Sequence, residues 1–184
     1  MKMKIVCNVM LVSAGLALSG FAQTAQPNTS TEAQKSFNRL KTLEGNWSGK
    51  NSEGMALEVS FQATAADSAI LSTIHGHASG KNEKDSIGHR QDMVSMINMD
   101  GPNRLLLTHY CSAGNQPRLQ AAVSPDGKTF TFDFADATNL KSADDGHMTR
   151  VVIAMLDADH HTEEWIFTDH GKQMKEFFDL RRSL

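Results

Sequence analysis

From Trp47 to the C-terminus, apolar and polar residues alternate in short runs separated by turn residues, and this pattern constrains the fold more than any other feature of the chain. A period of two is that of a strand with one face buried, whereas the preceding segment repeats at helical spacing. The runs fall near 46–51, 55–64, 68–77, 91–99, 103–111, 118–124, 128–134, 148–157, 162–168 and 173–182. Between them, Ser52-Glu53-Gly54, Asp100-Gly101-Pro102-Asn103, Ser124-Pro125-Asp126-Gly127, Asp157-Ala158-Asp159 and Asp169-His170-Gly171 supply residues that tolerate tight or left-handed turns. No helices alternate with these strands, which disfavours a parallel α/β sheet. The expected architecture is all-β, an antiparallel up-and-down barrel of about ten strands with one short N-terminal helix. Closure is preferred to a two-sheet sandwich because it removes unpaired edges. Two longer polar breaks, 78–90 and 135–147, are the kind of loop in which binding residues or lids tend to sit.

The start of the chain carries a different message. Lys2 and Lys4 precede an apolar run from Ile5 to Phe21, and Gly20 and Ala22 are the small residues expected before a cut, so residues 1–22 read as a signal peptide. Export to the periplasm or medium is the expectation. Cys7 would leave with the peptide, and no Cys sits at the cleavage point to carry a lipid. Residues 23–30 read as a disordered lead-in, and a single domain is expected over 31–184. That domain opens with a helix capped by Ser30 or Thr31, with Phe37, Leu40 and Leu43 on one face and Gly45 at its end. No segment after the leader approaches the ~20 apolar residues of a membrane-spanning helix. A net charge of −3 with interspersed signs offers no basic stripe for a nucleic acid. Cys111, alone after cleavage, reads as a small buried hydrophobe or a reactive thiol, and no internal disulfide is expected.

Leu43-Glu44-Gly45-Asn46-Trp47-Ser48-Gly49 resembles the G-x-W opening of the lipocalin and fatty-acid-binding superfamily, in the form found in exported bacterial lipocalin-like (calycin-type) proteins. Phe178-Asp179-Leu180-Arg181-Arg182 resembles the last strand of such barrels. The resemblance implies a barrel whose final Arg packs on the opening Trp; it implies no activity. The residues support the same contact independently. If Phe178 and Leu180 face inward, alternation sends Arg182 to that face too, where its guanidinium can lie on the Trp47 ring. The segment Leu107–Cys111 with Gly114–Arg118 is similar to exported proteins of this type as well.

Candidate chemistry is sparse. His109, Tyr110, Asn115, Gln116 and Arg118 flank one inter-strand loop and form the candidate ligand site, set against a loop that satisfies its own backbone. His75 and His77 share a strand face at a metal-compatible spacing, with His109, His147, His160, His161, Glu163 or Glu164 as a third ligand. Along 160–165, Glu163 and Glu164 fall on opposite faces and are not paired for acid/base work. Glu163, if inward with Trp165, needs a partner such as Arg150 or Arg182. No nucleophile elbow, phosphate loop or C-x-x-C is present, and no cofactor is indicated. Met93, Met96, Met99, Met148, Met155 and Met174 read as core filling. The leading expectation is an exported protein binding a small, largely apolar molecule in its barrel. The alternatives are a metal-assisted hydrolase or isomerase using His75 and His77, and a structural or interaction protein without a pocket.

Overall fold

A computed structural model of the chain describes residues 30–77 and 92–183, and of His77 only the backbone. The expected leader, most of the lead-in and the 78–90 loop lie outside these residues. Helix α1 (Glu32–Leu40) runs into a 3-10 turn (Lys41–Leu43), and ten strands follow: β1 (Gly45–Asn51), β2 (Ala56–Thr64), β3 (Ala69–His77), β4 (Asp92–Asp100), β5 (Arg104–Tyr110), β6 (Gln116–Val123), β7 (Thr129–Thr138), β8 (His147–Met155), β9 (His160–Asp169) and β10 (Lys172–Arg182). Each strand pairs antiparallel with its sequence neighbours, and β1 also pairs with β10, which closes the barrel. The period-two reading from Trp47 onward is therefore realised as a single antiparallel shell.

The closing seam explains the opening motif. Trp47 stands opposite Arg182 in the register, and the Arg182 guanidinium carbon lies 4.2 Å from the Trp47 ring centroid. Arg182 also donates to the carbonyls of Glu44 (2.7 Å), Thr42 (3.1 Å) and Ala158 (3.1 Å), tying the 3-10 turn, β10 and the β8–β9 turn together. The indole N–H of Trp47 donates to the Leu43 carbonyl at 2.8 Å. Gly45 has φ +129°, and a Cβ there would meet Arg182 Nη1 at 2.8 Å. At Gly49 a Cβ would overlap the Asp179 carbonyl oxygen. The glycines on either side of Trp47 thus make room for the arginine and for the neighbouring backbone.

Helix α1 covers the end of the barrel where these contacts lie. Thr31 caps it, its hydroxyl accepting from the Gln34 amide at 3.2 Å and donating to the Pro102 carbonyl in the β4–β5 turn. Phe37, Leu40 and Leu43 are buried against the barrel as a plug. The interior next to the plug is filled by apolar side chains from every side, including Phe61, Ile70, Ile97, Leu105, Phe130 and Ile153. Among the described residues, 52–55, 111–115, 139–146 and 170–171 connect the strands at the opposite end. Strand β7 runs on to Thr138, so the second expected loop contracts to 139–146.

Candidate functional site

Toward the end opposite helix α1 lies a cavity of about 400 Å³. Met93 reaches it from β4, Met148 from β8, Trp165 and Phe167 from β9, and Met174, Glu176 and Phe178 from β10. Asp92 and the loop residues Cys111, Ser112 and Ala113 also border it. Alternation places these groups: Trp165 and Phe178 are buried, and Met148 turns inward next to a register shift between Met148 and Arg150. The loop 111–115 is anchored across the mouth by Asn115, whose amide donates to the Gly146 carbonyl at 2.8 Å, and by Asn139, which donates to the Gly114 carbonyl at 2.7 Å.

Beneath Trp165 lies a run of buried polar groups. The inward face of β9 carries His161, Glu163 and Trp165 in succession, each almost wholly excluded from solvent. The Glu163 carboxylate accepts from His161 Nε2 at 3.1 Å on one oxygen and from the Trp165 indole N–H at 2.8 Å on the other. His161 stands edge-on to Trp47, with centroids 4.3 Å apart, and so joins this run to the closing seam. On the other side of Trp165, the His109 ring lies 5.0 Å away and its Nδ1 is 3.0 Å from the Ser95 hydroxyl. Burial pushes the His109 imidazole down to about 4, so it is neutral at physiological pH. His109 Nε2 and His161 Nδ1 are buried and have no hydrogen-bond partner among the described residues.

Of the five residues expected to form the ligand site, His109 alone turns its ring into the barrel interior. Tyr110 follows it on the strand and is exposed on the outer wall. Arg118, also exposed, forms an ion pair with Asp136, and Gln116 hydrogen-bonds to Thr138 and to the Gly114 carbonyl. Asn115 is buried but braces the loop, with its Oδ1 unpartnered among the described residues. The five are thus near in sequence and split between the two faces of the wall. Glu163 is inward as alternation expects, yet neither Arg150 nor Arg182 serves it. Arg150 pairs with Asp133 on the outside at 2.6 Å, and Arg182 belongs to the seam. The partners are its own same-face neighbours, and alternation from Trp165 back through Glu163 to His161 is the sequence signal that points to them.

His75 lies on the outer wall between the buried Ile74 and Gly76, with its Nδ1 2.8 Å from Asp92. The His77 side chain lies outside the described residues. Among the described residues no group of three His, Cys, Asp or Glu is placed to hold a metal ion. A second hollow of about 390 Å³ lies on the outer wall around Asn46, Ser48, Glu58, Ser60, Thr73 and His75, and its wall is mostly polar. Glu176 is half-buried in the cavity wall, and its carboxyl is held above the usual range first by burial and then by the nearby Glu53 charge, against a hydrogen bond from Asn51. Cys111 is a free, half-buried thiol. No helix among the described residues is long and apolar enough to cross a membrane.

No family model matches the chain, and no curated protein matches it. Among solved structures, the crystal structure of Rv2717c from M. tuberculosis is similar over 81% of this chain and 98% of its own, with a TM-score of 0.59 and 13% identity. A de novo designed fluorescence-activating β-barrel is matched over 78% of this chain and 95% of its own at 13% identity, with a TM-score of 0.36. The structure of EF1p2_mFAP2b bound to DFHBI is matched over 80% and 98% at 10% identity, with a TM-score of 0.35. At such identities the similarity to the mycobacterial protein speaks for the fold alone, and the chain is, by its own strand order, a closed ten-stranded antiparallel β-barrel plugged at one end by a helix.

Proposed function

We propose that this is an exported barrel that takes a small, largely apolar molecule into the end opposite helix α1. The observation that carries the reading is the cavity of about 400 Å³ walled by Met93, Met148, Trp165, Phe167, Met174 and Phe178. Small-molecule sites span roughly 300–1,000 Å³ and are mostly apolar with a few polar groups. Among the described residues the end covered by helix α1 is packed with apolar side chains, and the cavity lies toward the other end. Export rests on Lys2, Lys4 and the Ile5 to Phe21 run, and kinship with the lipocalin-like proteins rests on the Gly45-x-Trp47-x-Gly49 opening and its Arg182 partner.

An environment-sensitive apolar dye, titrated against the purified protein and followed by its own emission and by tryptophan quenching, tests the pocket. The expected result is saturable binding that competing apolar molecules reverse and that Met93→Trp, which fills the cavity, weakens about tenfold or more. Dye affinity unchanged in that variant would place the dye elsewhere and remove the reading. The metal-assisted hydrolase or isomerase has no comparable support, because His75 points away from the cavity and is engaged with Asp92.

A further inference from the structure

Resting on the reading of this cavity as a ligand site, we propose that its occupant is an organic cation, an apolar body bearing a primary or quaternary ammonium group. The first ground is charge. Glu176 stands in the cavity wall, and among the described residues no Lys or Arg lines the cavity. The polar and charged residues buried among the described residues include Glu163 but no Lys or Arg. A fatty acid or other organic anion would therefore share a low-dielectric space with carboxylates, whereas an ammonium group would meet opposite charge.

The second ground is the aromatic wall. Trp165, Phe167 and Phe178 line the cavity, and Trp and Phe faces attract a cation through their ring quadrupoles. Trp165 is prepared for this by its indole N–H, which is committed to the buried Glu163 at 2.8 Å. A hydrogen bond donated to a carboxyl oxygen pushes electron density into the indole ring and strengthens its negative face. The thioethers of Met93, Met148 and Met174 are polarisable and adapt to an alkyl body or to N-methyl groups. Glu176 supports the same conclusion, since burial and the Glu53 charge both work against its ionised form and a cation in the cavity would offset both.

Calorimetric titration with decyltrimethylammonium, decanol and decanoate, each below its micelle concentration and at one ionic strength, tests the proposal. The ammonium is expected to bind about tenfold more tightly than decanol, with decanoate weakest. Glu176→Gln should cut the ammonium's advantage by about threefold or more and leave decanol binding unchanged. Phe167→Leu, which keeps apolar volume but removes a ring face, should weaken the ammonium more than decanol. Decanol or decanoate binding as tightly as the ammonium overturns the charge assignment while the cavity reading stands. An ammonium preference untouched by both substitutions removes the cation from this wall and overturns the proposal. Failure of all three probes to bind overturns the cavity reading itself.

Discussion

A Cβ built on Gly49 would overlap the Asp179 carbonyl oxygen and stand 3.2 Å from the Leu180 Cα, so no side-chain rotation relieves the clash. Backbone must move, and the backbone in question is the β1–β10 seam. Gly49→Ala is accordingly expected to lower stability by about 2–4 kcal/mol, read as a fall in the urea midpoint. Arg182 works at the same seam. Arg182→Ala leaves the Glu44 and Thr42 carbonyls without its donors and uncovers the Trp47 ring, at a cost of about 3 kcal/mol. Arg182→Lys, which keeps the charge but not the planar fork, should fall between wild type and Arg182→Ala in the same denaturation series.

His109 makes a residue-scale prediction about pH. Its folded-state value is near 4 because burial disfavours the charged ring, while the unfolded chain titrates near the ordinary 6.5. Between those values the unfolded chain binds more protons, so the contribution of His109 to stability is full above about 6.5 and is lost as the pH falls toward 4. The loss amounts to roughly 3 kcal/mol. NMR titration of the imidazole resonances checks it: the His109 signal should not move until the pH nears 4, whereas that of the exposed His170, held up by its hydrogen bond to Asp169, should titrate above the ordinary range.

At the scale of elements, helix α1 acts as a stopper whose grip is the apolar face of Phe37, Leu40 and Leu43. Leu40→Ala would leave a void at the plugged end and is expected to cost about 2–4 kcal/mol by chemical denaturation. Dye binding at the far end should be unchanged in the same variant, because the packed middle of the barrel separates the two. Much of this element-level order is legible in the sequence: a cap at Ser30 or Thr31, the helical face and the succession of ten strands follow from spacing and turn chemistry, although β7 runs past its expected end to Thr138. The site is less so. His109, Tyr110, Asn115, Gln116 and Arg118 read along the chain as one polar cluster, although strand alternation puts His109 and Tyr110 on opposite faces of β5 and Arg118 beside Asp136 on the outer wall. Proximity along the chain is a poor guide to shared chemistry in a wall one residue thick.

For the whole molecule, the decisive pairing is between its first strand and its last. Without β10, strands β1 and β9 would both become open edges, and Trp165 and Phe167 would lose the Phe178 side of the cavity. A chain ending at Asp169 is therefore expected to lose its cooperative unfolding transition and to self-associate, as thermal melts and size-exclusion chromatography would register. A sharp transition and a monomeric elution for the truncated chain would mean the seam contributes little.

By itself the sequence determined which residues face in and which face out, because side-chain alternation and turn chemistry are local properties of the backbone. A short helix ahead of the strands was legible for the same reason. The Trp47 and Arg182 contact rests on alternation together with the resemblance of the two chain ends to lipocalin-like barrels, and the helix's place as a stopper was not legible at all. Which inward residues meet across the interior was decided by tertiary structure alone. The cavity wall gathers side chains from β4, β8, β9, β10 and a loop, and His109 meets Trp165 across the barrel. Those encounters depend on closure and stagger of the whole shell, which no stretch of neighbouring residues encodes.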